Sequence, residues 1–270
     1  MEAAERVAEA ERLLAAGRAA EAIAACREAL SIDPDSLAAH VCMARAKLPG
    51  EDFLAYLRRF HEALRPGVYL EIGVDAGRTL SLARPPTKAI GVDPTAREGH
   101  AFDAETRLFP LESDVFFASG AGDSELSGRP VDLAFVDGLH LFEQALRDFI
   151  HVERRCAPDS VVLFHDCLPL DAPTASRQRR TGFWTGDVWK IVPILQNRRP
   201  DLTVFLVPAY PTGLLVVTRL DPSSDRLERD LDAIVAEWTP REWSGGPEDP
   251  PLPIVPNDWP SVLERTRPGA

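Results

Sequence analysis

Short β-type runs that alternate with helical segments constrain the fold of this chain more than any other feature. The runs begin after Pro66-Gly67 and are rich in Val, Ile, Leu and Phe. They cover Val68–Val74, Lys88–Val92, Val131–Val136, Val161–Phe164, Thr203–Val207 and Leu214–Thr218. Because strands that alternate with helices form βαβ units, this pattern predicts a doubly wound, mostly parallel α/β sheet with helices on both faces. Six or seven strands are expected, and the last two predict an antiparallel hairpin at the sheet edge.

The predicted helices lie between these strands and after them. Apolar residues recur there at the three- and four-residue spacing of an amphipathic helix. The expected segments are Thr79–Leu82, Asp114–Gly120, Leu141–Arg155, Val188–Leu195 and Ser224–Trp238. The chain therefore divides into a helical segment at 1–63, a sheet domain at 64–221, and a helix with a tail at 222–270.

The first 63 residues are rich in Ala, Glu, Arg and Leu, with apolar positions at helical spacing. Gly17 and Pro34 fall where a tetratricopeptide helical hairpin has its turn glycine and its terminating proline, and the segment resembles that repeat. A single repeat cannot bury both of its faces. We therefore expect the segment to pack on the sheet domain, on a second copy of the chain or on a peptide, and a dimer is favoured over a monomer.

The C-terminal tail is dense in proline, which favours an extended and partly disordered segment. Trp243 and Trp259 are expected to anchor it against the body of the protein. The prolines are Pro240, Pro247, Pro250, Pro251, Pro253, Pro256 and Pro260.

A glycine-punctuated turn after the first strand indicates a nucleotide-type cofactor. The run Glu71-Ile-Gly73-Val-Asp-Ala-Gly77 ends a strand and opens a helix at the carboxyl edge of the sheet, where such folds bind nucleotides. Asp93 ends the next strand, where a carboxylate accepts hydrogen bonds from the hydroxyls of a ribose. The pair predicts an adenosine-containing cofactor.

Two later strands each deliver a carboxylate to the same edge of the sheet. One ends in Asp137-Gly-Leu-His140, and the next ends in His165-Asp166. Together with the glycine turn, this pattern resembles the class I S-adenosylmethionine (SAM) dependent methyltransferases. The resemblance is to a bacterial branch that includes relatives of sugar O-methyltransferases and cephalosporin-biosynthesis proteins, and it spans roughly residues 65–220.

The resemblance implies a Rossmann-like fold and methyl transfer from SAM. It also implies that residues after the third strand lie near the adenine, although Ser113 is equally suited to cap the following helix. The cofactor residues expected on these grounds are Glu71, Gly73, Gly77, Asp93, Ser113, Asp114 and Asp137.

Asp137 and Asp166 are candidates to share a divalent cation, because carboxylate oxygens are hard ligands that suit Mg²⁺. Such an ion would hold the acceptor hydroxyl and lower its pKa. His140 stands at the offset of the catalytic lysine in D-x-x-K O-methyltransferases, and an unperturbed pKa of about 6.5 suits a general base. Those enzymes follow the second aspartate with an oxygen ligand, whereas this chain has Cys167, a poor partner for Mg²⁺. His165 or water would then complete the metal shell. The alternative is that Asp137 only orders the cofactor loop and no metal binds.

His165 is predicted to be a structural histidine. Successive side chains of a regular strand point to opposite faces, so its ring should point away from Asp166. The long segment Leu168–Lys190 is predicted to form a lid over the acceptor, because it carries three arginines beside two tryptophans. The expected acceptor contacts are Arg177, Arg180 and Trp184, and the alternative is a solvated, mobile loop.

The formal charge of −12 argues against nucleic acid and anionic membranes as partners, since both require a basic surface. A small-molecule acceptor fits better. The four cysteines are scattered without C-x-x-C pairs and the N-terminus is acidic, so we expect a cytoplasmic protein with reduced thiols.

The function predicted from these features is SAM-dependent O-methylation of a sugar or natural-product hydroxyl, with Mg²⁺ assistance left open. One alternative is metal-independent N-methylation, since a neutral amine is already nucleophilic. The other is a non-catalytic methyltransferase-fold scaffold that docks a partner through its helical N-terminus.

Overall fold

One sheet forms the centre of the protein, in a computed structural model that describes residues 2–97, 99–246 and 248–266. Its strands are β1 Val68–Ile72, β2 Lys88–Val92, β3 Glu105–Phe109, β4 Val131–Val136, β5 Cys156–Phe164, β6 Thr203–Val207 and β7 Leu214–Thr218. The seven strands follow the order β3-β2-β1-β4-β5-β7-β6. Strands β1 to β5 pair in parallel, and β7 lies antiparallel between β5 and β6. The predicted Rossmann-like α/β fold and its antiparallel hairpin are confirmed.

Helices precede the sheet, cover both of its faces and follow it. They are α1 Glu2–Ala15, α2 Ala19–Ile32, α3 Leu37–Lys47, α4 Phe53–Leu64, α5 Ser113–Ala118, α6 Ala121–Leu126, α7 Phe142–Glu153, α8 Ile191–Arg198, α9 Arg226–Arg229, α10 Leu231–Trp238 and α11 Trp259–Thr266. None of these helices is both long and apolar enough to cross a lipid bilayer, within the residues that the structure describes.

The apolar strands create a core layer on each face of the sheet. All five residues of β1 are buried, and their side chains alternate between the two layers. Leu70 packs in the layer that holds Phe149 of α7 and Trp189. Tyr69 packs in the opposite layer with Phe60 of α4.

Two predicted helices differ from the observed ones. The helix expected after the glycine turn is a single 3₁₀ turn at Leu80–Leu82, and Pro85-Pro86 follow shortly after it. Proline lacks the amide hydrogen that a longer helix would need. The helix expected at Ser224–Trp238 is divided into α9 and α10, with Asp230 between them in a non-helical conformation.

The N-terminal helices make contacts of two kinds. Helices α1 to α3 enclose a small apolar cluster that also contains Leu170, with Phe183 and Tyr210 packed against it. They therefore pack on the sheet domain, which is one of the three arrangements expected from the sequence. Helix α4 ends one residue beyond the predicted segment and covers the sheet itself. The tetratricopeptide character of the segment stays a prediction.

The C-terminal tail is packed over its described residues, which differs from the extended and partly disordered segment predicted. The amide of Leu206 donates to the carbonyl of Pro253, and the amide of Val255 donates to the carbonyl of Leu206. Trp259 begins α11 and meets the ring of Phe60 edge-on at 5.1 Å. Each contact buries apolar surface or pairs a backbone group, which holds the tail in place. Pro247 lies outside the described residues.

Candidate active site

A cavity of about 780 Å³ opens at the carboxyl ends of β1, β2 and β4. This is the edge at which doubly wound folds bind ligands. Of the predicted cofactor residues, five line it, namely Gly73, Asp93, Ser113, Asp114 and Asp137. Sequence reasoning assigned no role to several other lining residues, among them Phe53, Thr79, Gln144 and Asp148.

Asp93 organises the glycine turn. One of its carboxylate oxygens accepts hydrogen bonds from the amides of Val74 and Asp75, each at 2.9 Å. The other accepts from the amide of Thr95 at 2.7 Å. Burial raises the pKa of Asp93, but these backbone donors outweigh it and hold the pKa below its usual value. Asp93 is therefore an anion at neutral pH that fixes the wall of the cavity.

Gly73 is required by packing within the protein. Its φ is +87°, and a Cβ atom at this position would lie 2.0 Å from the carbonyl oxygen of Asp137. The turn after β1 thus presses against the turn after β4. Glycine allows this close approach of two backbones, in addition to any approach of a ligand.

Glu71 and Gly77, which were predicted to bind the cofactor, do not line the cavity. Glu71 is fully buried below the turn, where it accepts hydrogen bonds from the hydroxyls of Tyr69 at 2.6 Å and Thr79 at 2.7 Å. Burial raises the pKa of Glu71 to about 8 despite these donors. A Cβ on Gly77 would meet the ring of Phe102 at 2.9 Å. Both residues therefore support the glycine turn without lining the cavity.

A polar group on α7 forms the far side of the cavity. The amide nitrogen of Gln144 lies 3.0 Å from Ser113 Oγ, 3.2 Å from Asp114 Oδ1 and 3.1 Å from Asp148 Oδ1. Burial raises the pKa of Asp148 to about 6. Gln144 and Asp148 are four residues apart on a helix and so share a face, which is the sequence signal that could have identified them.

The predicted catalytic residues meet beside the cavity, which Asp137 lines and which His140 and Asp166 do not. His140 Nε2 lies 3.1 Å from Asp166 Oδ2 and 3.8 Å from Asp137 Oδ1. One ligand atom from each of the three residues lies within 4.8 Å of the other two, an arrangement able to hold a metal ion. Asp166 has only 7% of its side chain exposed, and the neighbouring histidines lower its pKa although burial opposes them.

His165 belongs to this cluster, so the predicted orientation away from Asp166 is wrong. Its Nδ1 lies 3.4 Å from Asp137 Oδ1 and 3.5 Å from Asp166 Oδ1. The reason is that β5 ends at Phe164 and Asp166 adopts a left-handed conformation with φ of +59°, so the strand alternation stops before His165. Burial lowers the pKa of His165, but the two carboxylates outweigh it and raise the pKa.

Cys167 does not fill the place of an oxygen ligand. It is fully buried in the apolar core layer, and burial raises the pKa of its thiol well above the usual range. A neutral, buried thiol is a poor metal ligand. Of the two neighbours of Asp166 in the chain, His165 approaches the carboxylates and Cys167 does not.

The loop between β5 and α8 holds His140 from the other side. His140 Nδ1 lies 3.0 Å from the backbone carbonyl of Trp184, and the two rings stack at 5.1 Å. Gly186 makes this contact possible, since a Cβ there would lie 1.8 Å from the carbonyl oxygen of His140. Because a carbonyl only accepts, Nδ1 carries the hydrogen and Nε2 is left to face the carboxylates.

Arg177, Arg180 and Trp184, the predicted acceptor contacts, do not line this cavity. Arg177 is held in ion pairs with Glu143 at 2.6 Å and with Asp187 at 2.7 Å. Arg180 lines a separate depression beside residues 239–243, and Trp184 covers His140.

Among the described residues of this loop, Arg179 is the arginine that lines the cavity. Its guanidinium lies 6.0 Å from the centre of the Trp184 ring. The three arginines lie within four residues of each other, so their positions in the sequence do not distinguish them.

Comparisons with known proteins agree with this architecture. Residues 70–167 match the family model of a methyltransferase domain, a range that contains the glycine turn, Asp93, His140 and Asp166. No curated protein matches the chain.

Several solved structures are similar to this chain. The O-methyltransferase TomG from Streptomyces achromogenes, involved in tomaymycin synthesis and in complex with SAM, has 15% identity and a TM-score of 0.46 over 62% of this chain and 79% of its own. Cofactor-bound Rv0187 from MTB has 17% identity and a TM-score of 0.46, and the match covers 69% of this chain and 90% of that one. MycE from the mycinamycin pathway, in complex with Mg and SAH, has 16% identity and a TM-score of 0.42, and the match covers 63% of this chain and 50% of that one. Similarity at this level says nothing about reaction or ligand.

Proposed function

We propose that this protein is a SAM-dependent methyltransferase that acts on a hydroxyl of a small molecule. The observation that carries the proposal is the cluster of Asp137, His140 and Asp166 beside the cavity. The methyltransferase-domain match over residues 70–167 includes both the cavity turn and the cluster. A cofactor cavity and a group able to accept a proton therefore lie side by side.

SAM would occupy the cavity at the carboxyl edge of the sheet. Asp93 is anionic and lies at the end of β2, where a ribose hydroxyl is expected in folds of this type. Ser113, Asp114 and Gln144 supply polar atoms on the far side, where the adenine would lie. A volume of about 780 Å³ is within the range of sites that enclose a ligand of this size.

The proposed reaction needs a proton acceptor beside the acceptor hydroxyl. The hydroxyl oxygen attacks the methyl carbon of the sulfonium, the carbon–sulfur bond breaks, and its electron pair stays on sulfur to give S-adenosylhomocysteine (SAH). The hydroxyl proton passes to His140 Nε2. Asp166, at 3.1 Å, stabilises the resulting imidazolium, while the Trp184 carbonyl keeps the ring oriented.

Asp137 and Asp166 would also hold a divalent cation, which when bound lowers the pKa of the acceptor hydroxyl. The remaining steps depend on positioning. The Trp184 loop covers His140 and limits the access of water, and holding the nucleophile in line with the methyl group supplies much of the rate of such a displacement.

The first test is isothermal titration of the full-length protein with SAH. We expect saturable one-to-one binding, weakened at least tenfold in Asp93→Ala, which corresponds to about 1.4 kcal/mol. Asp103→Ala is the matched control, because Asp103 is exposed and its ion pair within the described part of the chain is with Arg84. Absence of SAH binding by the wild-type protein would overturn the proposal and favour the scaffold alternative.

The second test measures SAH formation from SAM with a panel of hydroxyl and amine acceptors. We expect turnover with a hydroxyl acceptor, and a large loss of kcat in His140→Gln with unchanged SAH affinity. Methylation of amines alone, at the same rate in His140→Gln, would instead indicate N-methylation.

A further inference from the structure

A second cavity, of about 450 Å³, opens at the amino ends of β1 and β2. One wall is the end of α4, and the other is the segment Leu82–Thr87 that leads into β2. We call it the amino-edge cavity. Within the described parts of the chain, it shares no lining residue with the cavity at the carboxyl edge of the sheet. A ligand bound here would therefore be separate from the methyl-transfer site.

Three exposed arginines give the amino-edge cavity an excess of positive charge, in a protein whose formal charge is −12. Arg58 and Arg65 are seven residues apart along α4 and its C-cap, which puts them on one side of the helix. Among the described residues neither has a carboxylate partner, and Arg84 Nε lies 3.6 Å from Asp103 Oδ2. Glu62 is the acidic residue of the wall. Three arginines against one glutamate favour an anionic ligand.

His61 is a buried member of the same wall, with 7% of the residue exposed. Neither of its ring nitrogens has a hydrogen-bond partner among the described residues, and neither is open to solvent. Burial lowers the pKa of His61 to about 4, and the positive charge of Arg84 acts in the same direction. The ring is therefore neutral at neutral pH and carries one N–H donor. A buried donor without a partner costs free energy, which a hydrogen-bonding ligand would recover.

The chemistry and the size of the amino-edge cavity favour an organic phosphate. Guanidinium groups match the oxygens of a phosphate and bind them through paired hydrogen bonds. The volume is larger than an inorganic ion would fill and lies within the range of small-molecule sites. Leu82, Pro85 and Pro86 supply apolar surface for the organic part of such a ligand. The C-terminal end of α4 would by itself repel an anion, so the arginines must supply the attraction.

We propose that the amino-edge cavity binds the phosphate group of a small organic phosphate, held by Arg58, Arg65 and Arg84, with His61 as a further hydrogen-bond donor. The exposed arginine side chains turn onto the phosphate oxygens, and their closure brings one of these oxygens to the imidazole. The organic group packs on the apolar surface of the segment before β2. This site goes beyond the proposed function and does not depend on it.

The test is isothermal titration of the full-length protein with three probes, namely phenyl phosphate, inorganic phosphate and benzoate. We expect saturable binding of phenyl phosphate, about tenfold or more tighter than binding of the other two probes. Inorganic phosphate lacks the organic group, and benzoate lacks the second negative charge. Absence of phenyl phosphate binding would overturn the proposal, as would equal affinity for either of the other probes.

Two arginine variants locate the binding. Arg58→Met and Arg84→Met remove charge from exposed positions, so folding should be intact. Each should weaken phenyl phosphate binding by about fivefold or more and leave SAH affinity unchanged. Arg78→Met is the matched control, because Arg78 lines the cavity at the opposite edge of the sheet. Binding that is lost in Arg78→Met and kept in Arg84→Met would place the probe in that other cavity and overturn the assignment.

His61→Phe tests the fourth donor. It keeps an aromatic ring at 4.5 Å from that of Tyr69 and removes both nitrogens. Phenyl phosphate binding should weaken about fivefold or more. In the wild type, the NMR signal of the His61 ring, identified by its absence in the variant, should shift when phenyl phosphate is added. An unchanged affinity in the variant or an unshifted signal would contradict the role of His61. The arginine variants test the cavity even if His61→Phe fails to fold.

SAH binding measured on the same samples separates the two proposals. Phenyl phosphate binding without SAH binding would refute the methyltransferase function and leave the amino-edge site standing. SAH binding without phenyl phosphate binding would do the reverse.

Discussion

The buried carboxyl group of Glu71 should make the stability of this protein fall as pH rises. In the folded protein its pKa is about 8, against an ordinary value of 4.5, because the side chain is fully buried. Glu71 thus binds its proton more tightly in the folded state than in the unfolded state. This contribution to stability is fully present below pH 4.5 and is lost as pH rises towards 8.

The size of the effect follows from the two pKa values. Each unit of difference is worth about 1.4 kcal/mol. Keeping Glu71 protonated in the folded state costs about 1 kcal/mol at pH 5 and about 3 kcal/mol at pH 7. Glu71→Gln removes this titration, keeps the size of the side chain and retains an oxygen to accept from Thr79. Relative to the wild type, the free energy of unfolding of the variant should therefore rise by on the order of 2 kcal/mol between pH 5 and pH 7.

Urea denaturation followed by tryptophan fluorescence at pH 5, 6 and 7 measures this difference. Glu105→Gln is the control for loss of one charge, because Glu105 is exposed on β3 of the same sheet. Curves for Glu71→Gln that run parallel to the wild type at every pH would refute the reasoning, since they would show Glu71 ionised in the folded state. SAH affinity should change less than about twofold in Glu71→Gln, because the side chain does not reach the cavity.

The other predictions concern the loop after β5. Gly186→Ala should lower kcat at least tenfold without changing SAH affinity, because the new Cβ would displace the loop from His140 and release the imidazole ring. A kcat equal to that of the wild type would contradict this. Arg177→Met should lower the free energy of unfolding by about 1 to 2 kcal/mol and leave the KM for the acceptor unchanged, because it removes the ion pairs with Glu143 and Asp187 while Lys190, at 2.8 Å, still pairs with Asp187. Arg179→Met should raise the KM for an anionic acceptor and leave stability unchanged, and urea denaturation with steady-state kinetics distinguishes these two arginines.

Much of the fold was predictable because it depends on patterns that the sheet imposes on the sequence. Buried parallel strands require uninterrupted apolar runs, and β1 and β7 are buried at every residue. The acidic residues that follow β2 and β4 could be placed for the same reason. Parallel strands bring their carboxyl ends to one edge, so Asp93 and Asp137 had to be neighbours of one cavity.

Other features depend on contacts between segments that are distant in the chain. Whether Arg177 or Arg179 reaches the cavity is decided by Glu143 and Asp187, which hold Arg177 away from it. Glu143 lies on α7, 34 residues from Arg177 in the chain, so the sequence of the loop alone does not distinguish the two arginines. Similarly, the motif position of Glu71 suggested ligand contact, but β1 alternation carries its side chain below the turn to Thr79.

The orientation of His165 shows how one backbone conformation can change the chemistry expected from a sequence. A regular strand would separate His165 from Asp166, since alternate side chains point to opposite faces. The left-handed conformation of Asp166 ends that alternation and brings both side chains to Asp137. This conformation costs an ordinary residue roughly 1 to 2 kcal/mol, and aspartate is one of the few residues that adopts it readily. An aspartate within two residues of the end of a buried strand is therefore a position where strand alternation is an unsafe guide.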